Sequence, residues 1–468
     1  MAFSGAGKAP RGFHLSREKS LVSCQDHNRE DRDPLRRGVT RVEGGGFKLL
    51  GAPIGSWDYE EQILEERLVS IQQLLDSLHL LDDPHMEYTL LRSCFSFPKF
   101  AFTLRTLDTS SHKEKLVDFD LAVKGALEAI LGSTLPPTQC TQASLPVSLG
   151  GLGLRLAAGH GAAAYLASLG ASELLVQEIR RNQVPQTPEV AQAMEDLNDK
   201  LGDPLTPEEV SNLTQRNLSV LIDTEASNNL KQKMEDPREK ARLNCASREG
   251  AGDWLNALPS KSLGLHLRKA EFVTAARYRL GMSVFRQEGQ CPMPRCHRVN
   301  DILGDHAISC AVGGERIAKH NHVRDAVFQV AVKAALGPSK EPDGLLPGCD
   351  DRPADVLIPF WTQGRDTALD ITVVNPLQCA LLNRSSQDGG SAVAEASSRK
   401  MRTYGERCAA EGIAFLPLAV DSLGGWHKAG LAGITRLGRQ LARQNSWGRG
   451  EDPSSAPAPE ARYSLSKG

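Results

Sequence analysis

Four residues of the types that bind zinc lie within twenty positions of one another in this 468-residue sequence. The text C-P-M-P-R-C, nine further residues and H-A-I-S-C gives Cys291, Cys296, His306 and Cys310. Three thiolates and one imidazole suit tetrahedral structural zinc, and His-x3-Cys places two ligands on one face of a helical turn. His297 is an alternative imidazole ligand, but its adjacency to Cys296 would strain the site. Chance placement of buried core cysteines is the competing interpretation.

Two aspartates lie on neighbouring predicted strands further along the chain. Asp355 ends the text R-P-A-D, and Asp370 lies inside T-A-L-D-I-T-V-V, where apolar and polar residues alternate as in a strand. Hard divalent ions take carboxylate oxygens, and such ions assist phosphodiester cleavage. An inward aspartate in an apolar strand is costly unless it is paired or binds a metal. The pair therefore predicts a Mg²⁺ or Mn²⁺ site, and the alternative is an exposed edge strand with a solvated polar face.

Cationic residues flank this predicted acidic pair in sequence. Lys400 lies on the next predicted helix, where a lysine can stabilise charge developing on a phosphate or can simply be solvated. The text E-R-I-A-K-H-N (315–321) begins the helix that follows the cysteine–histidine cluster. Its candidates for contact with nucleic acid are Arg316, Lys319, His320 and Asn321. His320 has an equal alternative role on the buried face of that helix.

The pattern of predicted elements divides the chain into helical and α/β parts. A strand and turn are expected over 46–55, and helices over 58–81 (capped by Ser56 or Asp58), 86–107 and 116–131. Helix, strands, helix, strand and helix then follow between 315 and 444, with a crossover connection before the last strand. The expected regions are a poorly ordered 1–46, a helical 47–180, a charged connector 181–260, a metal-binding 261–312, an α/β 313–446 and a disordered tail 447–468.

Charge and hydropathy bear on the partners and the location of the protein. The net charge is −2, but residues 261–334 hold 12 Lys and Arg against 6 Asp and Glu, as a nucleic-acid surface would or as solvated helices do. No signal peptide and no membrane-spanning run is predicted. The expected location is intracellular, where the ten cysteines stay reduced.

The order of several motifs carries a resemblance to a known family. These are G-F-H-L-S-R-E-K-S (12–20), F-K-L-L-G-A-P-I-G (47–55), L-P-V-S-L-G-G-L-G-L-R (145–155), the cysteine–histidine knuckle, R-I-A-K-H-N (316–321) and R-P-A-D-V followed by G-R-D-T-A-L-D-I-T-V-V-N-P. In this order they resemble the downstream portion of a non-long-terminal-repeat retrotransposon polyprotein, which carries a restriction-like endonuclease after its polymerase.

The resemblance implies a fold and an activity. Residues 12–20 would be the end of a polymerase palm, 58–180 a thumb-like helical region, and 313–446 an α/β restriction-endonuclease-like domain of the PD-(D/E)xK type. Asp355 and Asp370 would bind the catalytic ion, and Lys400 would stand in for the family's lysine. The implied activity is metal-dependent nicking of one DNA strand, in the nucleus, with element RNA as a further partner.

Two departures from the family pattern are visible. The paired aspartates of the polymerase are absent, so no reverse transcriptase activity is expected. The lysine that would share a strand face with Asp370 is replaced by Thr372, and Asp366 is a reserve metal ligand on that face.

Three hypotheses therefore remain for the function. The first is a DNA nickase. The second is a zinc-stabilised nucleic-acid-binding module without catalysis, which would also use the arginines of the last helix, Arg436, Arg439 and Arg443. The third is a truncated element copy without selected function, whose thumb-like region would be marginally stable.

Overall fold

The computed structural model describes residues 21–22, 40–41, 45–108, 110–180, 187–312, 314–347 and 352–447. Over these residues the protein is α+β and multidomain, with many helices and small sheets. Most of the region 1–46 and the tail from residue 448 lie outside the described residues. The predictions of disorder for these two regions therefore also fall outside the described residues. Two short strands, β1 (Leu21–Val22) and β2 (Thr40–Arg41), pair in parallel. Among the described residues, no helix has both the length and the apolarity to cross a membrane.

A hairpin opens the helical part of the molecule, where a strand and turn were predicted. Its strands are β3 (Gly46–Leu49) and β4 (Ala52–Gly55). Ser56 caps the next helix by accepting a hydrogen bond from the backbone nitrogen of Tyr59, so Ser56 and not Asp58 is the N-cap. The helices here are α1 (Trp57–Ser77), α2 (Pro84–Leu90), α3 (Phe97–Thr106), α4 (Lys113–Leu131), α5 (Pro137–Ser144) and α6 (Ala157–Arg180).

The helix predicted over 86–107 is interrupted. A π-helical turn, Leu91–Phe95, follows α2, and Ser96 leaves the helical conformation before α3 begins. Pro98 then lies in the first turn of α3, where its missing N–H needs no partner. The apolar periodicity runs through the break because both helices face one core, which contains Tyr88, Phe100 and Leu104.

The described part of the predicted connector, residues 187–260, forms helices that pack onto this helical part. The helices are α7 (Pro188–Asn198), α8 (Pro207–Ser211), α9 (Gln215–Lys233), α10 (Pro237–Ala246) and α11 (Asp253–Asn256). Their prolines occupy first turns and so begin helices instead of breaking them. Leu197, Leu218 and Ile222 share a buried cluster with Ala163 and Leu166 of α6.

Residues 261–312 connect the helical part to the α/β part. Helix α12 (Lys269–Leu280) buries Phe272 and Ala276 in the main helical core beside Trp254. A small hairpin of β5 (Gly289–Gln290) and β6 (Val299–Asn300) follows, and then the short helix α13 (Asp305–Ser309).

The C-terminal part is a four-stranded sheet with helices on both faces. Its strands, in spatial order, are β10 (Ala414–Asp421), β9 (Arg365–Val374), β8 (Val356–Thr362) and β7 (Ser339–Lys340). The β9–β10 pair is parallel, which fits the predicted crossover connection, and the other pairs are antiparallel. The helices are α14 (Glu315–Lys333), α15 (Cys379–Gln387), α16 (Ser391–Lys400), α17 (Glu406–Ala410) and α18 (Lys428–Trp447), with a π-helical turn Met401–Gly405.

Strand β9 is buried on both faces. Leu369 and Ile371 pack with Val327 of α14 and Ile434 of α18 on one face, and α16 covers the other. Strands β8 and β10 pair with the two edges of β9. The alternative of an exposed edge strand around Asp370 is therefore wrong, because the strand is central in the sheet.

Candidate active site and metal centre

Asp355 lies against the central strand at the point where strand β8 begins. Its backbone nitrogen donates to the carbonyl of Leu369 at 2.9 Å. Its Oδ2 accepts a hydrogen bond from the backbone nitrogen of Ile371 at 2.6 Å. Because β8 begins only at Val356, this carboxylate takes the hydrogen bond that a longer strand would have made. Asp355 and Asp370 are thereby held at neighbouring positions of the sheet.

Asp370 is a buried carboxylate joined to the lysine of the following helix. Its side chain is 6% exposed, and its Oδ1 accepts a hydrogen bond from Nζ of Lys400 at 3.0 Å. Its Oδ2 lies 2.9 Å from the same ammonium group without the geometry of a hydrogen bond. Burial raises the pKa of Asp370 to about 6 against the opposing charge of Lys400, and the negative charge of Asp355 adds to the rise.

Lys400 reaches the acidic pair from the last turn of α16. The π-helical turn after it brings the ring of Tyr404 to within 5.7 Å of the Lys400 ammonium nitrogen. Thr372, at the strand position where the resemblance would place a lysine, has a buried Oγ1 without a hydrogen-bond partner among the described residues. The ammonium group therefore comes to Asp370 from a helix and not from the strand.

His320 completes this cluster from helix α14. Its Nε2 lies 3.0 Å from Oδ1 of Asp355, and that hydrogen bond raises the pKa of His320 above its usual range. The Asp355 carboxylate thus bridges the histidine and the strand. The other predicted role of His320 was a place on the buried face of its helix. The side chain is instead 31% exposed and paired with a carboxylate.

A cavity of about 980 Å³ lies beside the cluster. Lys400, His320 and Thr372 line it, together with the exposed arginines Arg316 and Arg399. Its two acidic lining residues are paired elsewhere, because Glu395 contacts Arg384 at 2.8 Å and Asp421 contacts Arg248 at 3.0 Å. The remaining charge on the cavity wall is therefore positive, which favours an anionic ligand.

The other predicted nucleic-acid contacts divide between the cavity and the rest of the helix. Lys319 lines the cavity and donates a hydrogen bond to the carbonyl oxygen of Ile308. Asn321 is half-buried and is not part of the cavity wall. Asp366 accepts a hydrogen bond from the backbone nitrogen of Phe360 at 3.0 Å in the β8–β9 hairpin, so it is separated from the acidic pair.

The cysteine–histidine cluster assembles as a metal centre. The ligand atoms of Cys291, Cys296, His306 and Cys310 all lie within 4.8 Å of one another. The Sγ atoms of Cys291 and Cys310 are 3.8 Å apart, and Sγ of Cys296 lies 3.4 Å from Nε2 of His306. A tetrahedral zinc site has edges of about 3.5–3.8 Å, given its metal–ligand bond lengths. These four residues can therefore hold a metal such as zinc, whereas His297 is exposed and outside the group.

Hydrogen bonds fix the shape of this metal-binding segment. The carboxylate of Asp301 accepts from the backbone nitrogens of Leu303, Asp305 and His306 at 3.0, 3.1 and 2.8 Å. Partial burial works to raise the pKa of Asp301, but these hydrogen bonds outweigh it and lower the pKa. The loop is thus held in the turn that presents His306 to the cysteines.

The metal-binding segment forms one wall of the cavity. Ile308, Ser309 and Ala311 lie on that wall, and Oγ of Ser309 accepts a hydrogen bond from Nδ2 of Asn375 at 2.5 Å, just beyond strand β9. Asp305 is paired with Arg238 of α10 on the other side. Asn375 and Arg238 were not predicted, since no local pattern in the sequence indicates contacts over such separations.

Of the three arginines predicted to bind nucleic acid from the last helix, Arg436 has a structural role. Arg436 donates to the carbonyl oxygen of Trp361 and lies 4.7 Å from the centre of its ring. Arg439 and Arg443 are exposed. The predicted basic face of α18 is therefore partly used to hold the helix against strand β8.

No protein family matches the chain, and no curated protein is significantly similar to it. The retrotransposon resemblance therefore stays an expectation carried by the order of the motifs. The chemistry of the site rests on the contacts between its side chains.

Proposed function

We propose that the protein is a metal-dependent DNA endonuclease that nicks one strand of a duplex. The observation that supports this most is the contact between Lys400 and Asp370, beside Asp355 at the start of the neighbouring strand. Two carboxylates and a lysine that lines a cationic cavity are the groups that phosphodiester hydrolysis with a divalent ion uses. A nuclear location would follow from a DNA substrate.

The acidic pair fits a hard divalent ion such as Mg²⁺ or Mn²⁺. Asp370 is a buried carboxylate whose charged partner is the Lys400 ammonium, and Asp355 offers a second carboxylate beside it. One or two carboxylates suffice for Mg²⁺, which keeps several waters. When bound, the ion supplies a water of lowered pKa and neutralises charge on the phosphate.

The protein's own groups then have separate roles. Asp370 and Asp355 hold the ion, and Lys400 places a positive charge beside the reacting phosphate. His320 lines the same cavity, and its protonated Nε2 would donate a hydrogen bond to Asp355, which raises the pKa of the histidine and orients the carboxylate. The exposed Arg316 and Arg399 contact neighbouring phosphates, which positions the strand without reading its sequence.

The test uses the full chain with bound zinc, supercoiled plasmid and Mn²⁺ or Mg²⁺. Asp370→Ala should abolish conversion to open circles. Asp366→Ala is the matched control, because it removes a carboxylate from the same strand without touching the pair. Nicking that persists in Asp370→Ala, or that is absent from the wild type with both ions, would refute the proposal.

A second function is favoured by one observation. The Lys400 ammonium contacts both oxygens of Asp370, so it competes with a metal ion for them. A nucleic-acid-binding module without catalysis would retain plasmid in a filter assay and give no open circles. Its affinity should fall steeply with salt, since lysine and arginine contacts to phosphate release counterions.

A further inference from the structure

A second cleft lies in the helical part of the molecule, apart from the acidic pair. It has a volume of about 430 Å³ and is bordered by the π-helical turn after α2, the turn after α5 and the segment after α11. Only two of the residues lining it are charged, and both are arginines, Arg92 and Arg155. No acidic side chain lines it, so the electrostatic preference of the cleft is for an anion.

Arg92 is held rigidly on the wall of this cleft. One terminal nitrogen donates to the carbonyl of Leu255 at 2.9 Å and the other to Oδ1 of Asn256 at 2.8 Å. Gly153, at φ +73°, lets the guanidinium approach, because a Cβ there would lie 2.8 Å from Nε of Arg92. A guanidinium carries five N–H donors, so these two bonds leave donors for a ligand.

Arg155 presents a buried donor that lacks an acceptor. One of its terminal nitrogens is paired with the buried carboxylate of Asp223. Its Nε is buried and has no hydrogen-bond partner among the described residues. The side chain also lines the cleft and is 32% exposed, so a ligand in the cleft can approach its guanidinium group.

The surroundings of the two arginines also point to a ligand. Single π-helical turns occur often at functional sites, and this one carries Arg92 and the exposed Ser93 on the cleft wall. Phe97, Pro98 and Leu258 supply an apolar side, and Leu258 is 74% exposed. A cleft of this volume is within the range of small-molecule sites, about 300–1,000 Å³.

We propose that this cleft binds the phosphate group of a nucleotide, with Arg92 and Arg155 as its donors. Guanidinium groups match phosphate oxygens through paired hydrogen bonds, and the apolar side would accept the sugar or base. Either of two ligands could supply this phosphate: a free nucleotide or the 5′ end of a nucleic-acid strand. The cleft is independent of the acidic pair, so this proposal stands or fails apart from the nuclease.

The experiment is calorimetric titration of the full, zinc-loaded chain without added Mg²⁺. The probes are AMP, adenosine, and a ten-nucleotide DNA strand with either a 5′ phosphate or a 5′ hydroxyl. We expect AMP to bind and adenosine not to bind. A free nucleotide as the natural ligand predicts no difference between the two strands, and a strand end predicts tighter binding of the phosphorylated one.

Two variants keep the test independent of folding. Ser93→Glu adds a carboxylate at the exposed rim and should weaken AMP binding at least about tenfold, which corresponds to about 1.4 kcal/mol. Gln73→Glu adds the same charge to an exposed position of α1 and should leave binding unchanged. Failure of both AMP and the phosphorylated strand to bind, or equal affinities in wild type and Ser93→Glu, would overturn the assignment.

Discussion

The ammonium nitrogen of Lys400 lies 3.0 Å from Oδ1 of Asp370, although thirty residues separate the two in sequence. In the restriction-like pattern the lysine would follow the acid on the same strand, at the position of Thr372. Here helix α16 packs over strand β9 and ends at the point where its last side chain reaches the carboxylate. The ammonium group therefore reaches the carboxylate from helix α16 and not from strand β9.

Removal of the Lys400 ammonium should abolish most nicking while leaving DNA binding. Lys400→Met is expected to lower the rate of plasmid nicking by about 10²–10³-fold, the typical effect of losing a group that stabilises transition-state charge. Lys333→Met is the control, because Lys333 is exposed at the far end of α14. Filter binding of the same plasmid should change little in either variant.

A lysine restored to the strand should partly rescue that loss. The double variant Lys400→Ala, Thr372→Lys places the ammonium where the family pattern has it, and Thr372 already lines the cavity. We expect its nicking rate to exceed that of Lys400→Ala by at least about tenfold, or roughly 1.4 kcal/mol of barrier. Equal rates in the single and double variants would mean that Lys400 does not act at the reacting phosphate.

Nicking should depend on the protonation of Asp370. Burial raises its pKa to about 6, and a proton competes with the metal ion for the same oxygens. At subsaturating Mn²⁺ the rate should fall about tenfold per pH unit as the pH drops below that pKa. Rates measured from pH 5 to 8, with DNA retention followed in parallel, check this. A rate that stays flat down to pH 5 is incompatible with Asp370 as a metal ligand.

The same shift makes a prediction about stability without divalent metal. The folded pKa of Asp370 lies above its ordinary value, so the stabilising contribution of the protonated form is complete below about pH 4 and is lost as the pH rises through about 6. Asp370→Asn removes this loss. The gap in free energy of unfolding between variant and wild type should therefore move in favour of the variant between pH 4 and 7, as urea titrations would show.

Loss of a metal-ligating thiolate should remove the metal and disturb the cavity. Cys310→Ser should lower bound zinc, measured by atomic absorption, from about one per chain to near zero, because a hydroxyl is a poor substitute for a thiolate. The segment of Ile308 and Ser309 should then become sensitive to protease, with nicking lost. Cys379→Ser changes an exposed cysteine outside the cluster and should retain the metal.

The ion pair between Arg248 and Asp421 ties the helical part to the sheet. Asp421 is fully buried, and burial raises its pKa to about 6 against the opposing charge of Arg248. Arg248→Ala should lower the free energy of unfolding by about 3–5 kcal/mol at neutral pH, because it leaves a buried carboxylate unpaired. The loss should be smaller at pH 5, where the carboxyl is protonated in the folded variant.

A matched exposed pair serves as the control for that variant. Arg384→Ala breaks the contact with Glu395; the two side chains are 56% and 46% exposed, respectively. Its effect should stay below about 1 kcal/mol at either pH, as is usual for solvated ion pairs. Equal changes in the free energy of unfolding for the two substitutions would show that the Arg248–Asp421 ion pair does not stabilise the contact between the helical part and the sheet.

Local chemistry in the sequence was enough to predict several elements. The spacing of three cysteines and one histidine predicted the ligand set, because short loops between the ligands keep their side chains close together. The alternation around Asp370 predicted strand β9, and Ser56 was among the predicted caps of α1. These features depend on residues within a few positions of one another, which backbone geometry alone relates.

Relations between distant segments were decided by tertiary packing. Pro188, Pro207 and Pro237 begin helices in the predicted connector, and the faces that these helices bury are defined only by the clusters they join. The sequence predicted the types of residue at the site, namely two acids, a lysine and a histidine, from motif order and chemistry. Whether Lys400 meets Asp370, and whether the metal-binding segment forms a wall of the cavity, depends on how α16 and α13 lie on the sheet. No periodicity encodes those contacts, since they arise from the burial of apolar faces of whole elements against one another.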